Sequence, residues 1–129
     1  MTNHEQIDSG FPPLAVVAEK DPMHRGTLAA FLSCDGYRVF EEDNENAVLS
    51  CIDSANRLAV LFVDLDMPGW RSLAWHALNT MPDAFVIGVS GNNAVPEDSD
   101  LEQFGIQVCL QKPILYNDVR RVLSETVEK

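Results

Sequence analysis

The chain has 129 residues, the size of one domain around a single core. Hydrophobic residues make up 46% and charged residues 22%, no apolar run approaches the ~20 residues of a membrane helix, and Met1 to Gln6 lack a basic start and apolar stretch, so a soluble, cytoplasmic protein is expected. The formal net charge of -11, from 20 acidic against 9 basic residues, argues against direct binding to nucleic acid, because phosphates would be repelled.

Residues 1–13 are polar and end in Phe11-Pro12-Pro13, which reads as a flexible leader before one domain over 14–129. Leu14 to Ala18 form an apolar run, the first expected strand. Asp21-Pro22 supplies a helix cap followed by proline at the first helical position. Leu28, Phe31 and Leu32 stripe that helix, and Gly36 ends it in the left-handed manner of a C-terminal glycine. Tyr37 to Phe40 read as a second strand, and Ala47, Val48, Cys51 and Ile52 have helical spacing.

Leu58 to Val63 read as a third strand that ends abruptly at Asp64, with Met67-Pro68-Gly69 as the turn beyond it. Leu73, Ala77 and Leu78 predict a third helix, closed by Met81-Pro82. Phe85 to Val89 form a fourth strand stopping at Ser90-Gly91. After a polar segment, a short helix is expected around Leu101 to Phe104. Gln107 to Leu110 then form a fifth strand before Lys112-Pro113. Val119, Val122 and Leu123 predict a last helix from about Asn117. Cys34, Cys51 and Cys109 have no metal-ligand spacing and read as reduced thiols, mostly buried. Trp75 is expected to pack, and Trp70 to lie by the mouth of the site. His4, His24 and His76 form no cluster.

Five strands alternating with helices imply an α/β fold with a parallel sheet covered on both faces. Right-handed crossovers bring the strand C-termini to one edge, where such folds bind ligands. Glu19, Lys20 and Asp21, then Asp64, Ser90 and Lys112, all follow strands and converge there. A carboxylate, a hydroxyl and an ammonium around one point suit phosphoryl transfer to the carboxylate. The carboxylate attacks phosphorus and the cation offsets charge on the transferred oxygens. Further oxygen ligands would hold Mg²⁺.

These motifs resemble the receiver domain of two-component response regulators, similar to the chemotaxis regulator. The carriers are Val17-Ala18-Glu19-Lys20-Asp21-Pro22, Val63-Asp64-Leu65-Asp66-Met67-Pro68-Gly69, Val86-Ile87-Gly88-Val89-Ser90-Gly91 and Gln111-Lys112-Pro113. The resemblance implies a flavodoxin-like doubly wound (βα)5 domain with strand order 2-1-3-4-5. It implies Asp64 as phosphoacceptor, Ser90 as the hydroxyl that follows the phosphoryl group, and Lys112 as the lysine that pairs with it before a cis Pro113. Glu19, Asp64 and the backbone carbonyl of Asp66 become the metal ligands, and the Asp66 side chain faces the site mouth, where it can tune hydrolysis. The implied partners are a histidine kinase or phosphotransfer protein and a downstream protein, with a homodimer also compatible. The protein is then a phosphoacceptor in a phosphorelay, catalysing at most its own phosphotransfer and dephosphorylation. With no room for an output domain after Lys129, a stand-alone receiver is expected, signalling through the face of the last two strands and helices.

The chain departs from the pattern at Lys20, which stands where receivers usually carry a second metal-binding acid. Weak Mg²⁺ binding follows, with the Lys20 ammonium either turned away or standing in for the metal beside Asp64. Cys109 replaces a ring that usually turns inward on switching, and Trp70-Arg71-Ser72 replaces the common apolar-Asp-Gly. A pseudo-receiver that binds partners without phosphate is therefore the alternative. A dehalogenase-type phosphatase, suggested by Asp64-Leu65-Asp66, fits poorly. Its motif belongs on a first strand, Pro68 occupies a Thr or Val position, and no acidic pair follows Lys112.

Overall fold

The computed structural model describes residues 12–91 and 96–127, with side chains described to residue 125. Residues 1–11, most of the expected leader, and most of the loop after Gly91 lie outside the described residues.

The strands are β1 (Leu14–Ala18), β2 (Arg38–Glu42), β3 (Val60–Asp64), β4 (Phe85–Ser90) and β5 (Ile106–Gln111). The helices are α1 (Pro22–Cys34), α2 (Glu45–Ser54), α3 (Trp70–Thr80), α4 (Asp98–Gln103) and α5 (Tyr116–Val127). They alternate along the chain, and the sheet has five strands in the order β2-β1-β3-β4-β5. All four pairings are parallel. This is the flavodoxin-like arrangement that the resemblance implies, with its switch point between β1 and β3.

The central strands are buried throughout, and their side chains alternate between two cores. Leu61 and Val63 join Val16, Ala18, Val48, Ile52, Leu73, Ala74, Ala77 and Leu101 under α2, α3 and α4. Val60 and Phe62 join Ala15, Val17, Leu28, Leu32, Val119, Val122 and Leu123 under α1 and α5. Neither core could form without helices on both sides, which is why the strands read as continuous apolar runs.

Local signals act as the sequence suggests. Asp21 caps α1 by accepting from the Met23 N–H at 3.3 Å, and Asn44 caps α2 through the Ala47 N–H at 2.9 Å. Gly36 takes φ +93 just past α1. β2 runs two residues beyond Phe40, because Glu41 and Glu42 pair with Val17 and Ala18 at the sheet edge, where charged side chains reach water.

Three expectations are corrected. Asp64 and Ser90 are the last residues of β3 and β4 rather than the first after them. Trp75, expected to pack, is 52% exposed, whereas Trp70 is buried. The inward stripe of α3 is Trp70, Leu73, Ala74 and Ala77, spaced three and four apart, with Trp70 edge-on to Phe104 at 5.6 Å. Trp75 and Leu78 fall off that stripe. The cysteines are not mostly buried, since Cys34 is exposed and Cys51 and Cys109 are half-buried. Cys34 ends α1 on its outer side, away from Leu28 and Leu32.

No helix among the described residues is long and apolar enough to cross a membrane.

Candidate functional site at the carboxyl edge of the sheet

Sheet register assembles the site. Val63 pairs with Ala18 and Asp64 with Val89, so Glu19 and Ser90 flank Asp64 from the two neighbouring strands. The Lys112 N–H donates to the Ser90 carbonyl at 2.9 Å, extending the β4–β5 ladder to the lysine. Glu19, Asp64 and Lys112 continue the alternation of Val17, Phe62 and Leu110, which places them on one side of the sheet. The Lys112–Pro113 peptide is cis, as the resemblance to receivers implies.

Glu19, Asp64 and Ser90 are the buried polar residues of the described chain, each at most 2% exposed. Carboxylates so deep need compensation. The Lys112 ammonium supplies it, donating to Glu19 Oε2 at 2.9 Å and lying 3.7 Å from Asp64 Oδ2. Main-chain donors complete the cage. The Asp21 N–H donates to Glu19 Oε2 at 3.1 Å, and the Asp66 N–H to Asp64 Oδ1 at 2.9 Å. The Lys20 N–H reaches Asp64 Oδ2 at 3.4 Å.

Two carboxylates share one ammonium, and the titration of Glu19 and of Lys112 reflects it. Burial first, then the Asp64 carboxylate beside it, raises the Glu19 pKa above the ordinary carboxyl value, outweighing the Lys112 contact. Burial works against the charge of Lys112. The Glu19 hydrogen bond and the charges of Glu19, Asp64 and Asp66 overcome it and hold the ammonium above its usual value.

No family model matches this chain, and no curated protein does. Solved structures do match. A response regulator from Thermotoga maritima superposes with TM-score 0.79 at 17% identity, covering 92% of this chain and 100% of that one. A CheY-like response regulator receiver domain from Methanospirillum hungatei JF-1 gives TM-score 0.82 at 17% identity, over 91% of this chain and 94% of that one. A Burkholderia pseudomallei response regulator, solved with a phosphorylated aspartic acid, calcium ion and citrate, gives 0.78 at 22% identity, over 90% and 69%.

The chain has the response-regulator receiver fold. In that fold the sequence-predicted residues Glu19, Asp64, Ser90 and Lys112 meet at the carboxyl edge. Lys20 does not join them through its side chain. Its main-chain N–H touches Asp64, while the side chain is exposed and forms no ion pair among the described residues. The residue sits at the start of the β1–α1 loop, where the buried direction is already taken by Glu19. The ammonium is therefore turned away rather than standing in for a metal.

The donor set suits a divalent cation poorly. Mg²⁺ prefers oxygen ligands and tolerates as few as one or two carboxylates. Here Glu19 Oε2 already accepts from Lys112 and Asp21, and Asp64 Oδ1 from Asp66. Among the described residues no three His, Cys, Asp or Glu side chains come together to hold a metal ion.

Two contributors escape a reading of the sequence. Arg25, on the first turn of α1, donates to the carbonyls of Glu19 at 3.0 Å and Lys20 at 3.4 Å, pinning the loop that carries Glu19. Nothing in its spacing distinguishes it from a solvated helical arginine. The Asp66 carboxylate accepts the Gly91 N–H at 3.0 Å, tying the β3–α3 loop to the end of β4. The acid is legible at that position; its bond to a residue 25 positions away is not. His24 pairs with Asp21, and His76 with Asp53 at 2.6 Å, so each of these two histidines is taken up by a carboxylate outside the site.

Proposed function

We propose that this receiver-fold protein accepts a phosphoryl group on Asp64 from a phosphohistidine of a kinase or phosphotransfer protein, and signals through protein contacts. The observation that supports this most is the Asp64 carboxylate held 3.7 Å from the Lys112 ammonium at the carboxyl edge, with Ser90 on the adjacent strand.

In the proposed reaction an Asp64 oxygen attacks phosphorus. The P–N bond of the donor breaks, its electron pair stays on the imidazole nitrogen, and that nitrogen takes a proton from water. Lys112 offsets the charge on the transferred oxygens, and the Ser90 hydroxyl would donate to one of them. In dephosphorylation, water attacks phosphorus and gives up a proton to solvent, the acyl phosphate P–O bond breaks with its electron pair on the carboxylate oxygen, and inorganic phosphate leaves with Asp64 restored. Mg²⁺, if bound, is held weakly through Glu19, Asp64 and the Asp66 carbonyl; it would supply charge neutralisation at phosphorus. The proposed output surface is the face of the last two strands and helices, β4, β5, α4 and α5, where Leu115 is 60% exposed.

Incubation with radiolabelled acetyl phosphate or a phosphorylated histidine kinase tests this. Acid-stable, base-labile label on the parent and none on Asp64→Ala is expected. Equal labelling of both would overturn it.

The outward Lys20 and the short set of metal donors favour one second reading, a pseudo-receiver that binds its partner without phosphate. Partner affinity unchanged by Asp64→Asn, with no labelling of the parent, would establish that instead.

A further inference from the structure

The Asp66 side chain is an acidic group beside the acceptor that the proposed transfer does not use. It is exposed, yet its Oδ2 is fixed 3.0 Å from the Gly91 N–H. Its own N–H holds Asp64 Oδ1 at 2.9 Å, so this short loop reaches both the acceptor and the end of β4. Its charge also helps hold Lys112 protonated. A Cβ on Gly91 would lie 2.8 Å from Lys112 Cδ and 3.2 Å from Asp66 Oδ2, so the lysine stem and the carboxylate both close over that glycine.

A phosphoryl group on Asp64 brings negatively charged oxygens into the space between these same groups. Backbone N–H groups and an ammonium are the donors such oxygens seek. One of those donors, the Gly91 N–H, is already taken by a carboxylate. We propose that the Asp66 carboxylate is an internal competitor that occupies the Gly91 N–H while Asp64 is unmodified. The arriving phosphoryl group must displace it. The displacement frees the β3–α3 loop from the end of β4. Asp66 acts here as a positioning residue, not a reacting one, and the inference rests on Asp64 being the acceptor.

Asp66→Asn and Asp66→Ala separate its two effects. Asn keeps an oxygen for Gly91 but no charge; Ala removes both. With acetyl phosphate as donor, labelling of Asp64 is expected to accelerate about tenfold in Asp66→Ala, the size of one charge-assisted hydrogen bond no longer in competition. Asp66→Asn should fall between Ala and the parent. In the unphosphorylated proteins, the Gly91 amide proton should move upfield and exchange faster in Asp66→Ala, and the rest of the amide spectrum should stay in place, since the side chain is exposed. Labelling of the parent with no faster labelling of either variant would overturn the inference while leaving Asp64 as acceptor. An unmoved Gly91 amide in Asp66→Ala would overturn it too. No label on the parent or on either variant would overturn the acceptor reading, and this inference with it.

Discussion

Replacing Lys112 by methionine keeps the stem and removes the charge that two buried carboxylates share. From distances of 2.9 Å to Glu19 and 3.7 Å to Asp64, Coulomb attraction at an effective dielectric of ~20 is about 6 and about 4.5 kcal/mol. Much of this offsets the desolvation of the ammonium itself, whose side chain is 11% exposed. Removing one member of such a buried group costs about 3–5 kcal/mol, because the remaining charges are left uncompensated. The loss should depend on pH. The folded-state pKa of Glu19 is raised above its ordinary 4.5, so its stabilising contribution is full below that value and is lost as pH rises through the folded pKa. Without Lys112 the folded pKa rises further. Protonating Glu19 then relieves part of the strain in acid, and the variant should lose less at pH 5 than at pH 8. Urea unfolding at both pH values measures this. With a urea slope of about 2 kcal/mol/M, the midpoint at pH 8 should fall by roughly 2 M. Adding Asp64→Asn to Lys112→Met should recover part of the loss. A loss under about 1 kcal/mol at pH 8, or no recovery in the double variant, would refute this account of the buried triad.

Three further outcomes are expected. Lys20→Asp places a carboxylate at the position whose N–H already touches Asp64, and should tighten Mg²⁺ binding at least about tenfold by calorimetry, one charge pair's worth at a partly exposed site; unchanged affinity would show that residue 20 does not border the ion. Trp70→Ala empties a site 5% exposed and should cost about 3–5 kcal/mol in urea unfolding, whereas Trp75→Ala, losing an edge contact with Phe104 at 6.4 Å, should cost under about 1.5 kcal/mol; equal losses would contradict the assigned α3 stripe. Gly69→Ala forces a side chain to φ +86 and into the Glu45 carboxylate, and should cost about 1–2 kcal/mol in a thermal melt with the labelling of Asp64 retained.

The order of elements and the place of the acceptor are legible in the residues because both are local. Apolar runs of five or six residues, Asp21-Pro22, Gly36 and Met67-Pro68-Gly69 each act on their own neighbourhood, and chirality of the crossovers then gathers the strand ends. The positions of Glu19, Asp64, Ser90 and Lys112 follow from that alone. The exposure of the tryptophans does not, because Trp70 and Trp75 both lie within three residues of Leu73. Which of them faces inward depends on how α3 rotates against Phe104.

The buried polar edge depends most on tertiary structure. The sequence determines that a carboxylate, a hydroxyl and a lysine end three strands. It also shows that Lys20 stands where a second acid was expected. Only the packed sheet decides that Lys112 bridges Glu19 to Asp64, that the Lys20 ammonium turns to water, and that Asp66 reaches Gly91. The physical reason is range: caps and strand periods are set by neighbours in the chain, whereas a buried charge takes its partner from whichever strand lies beside it.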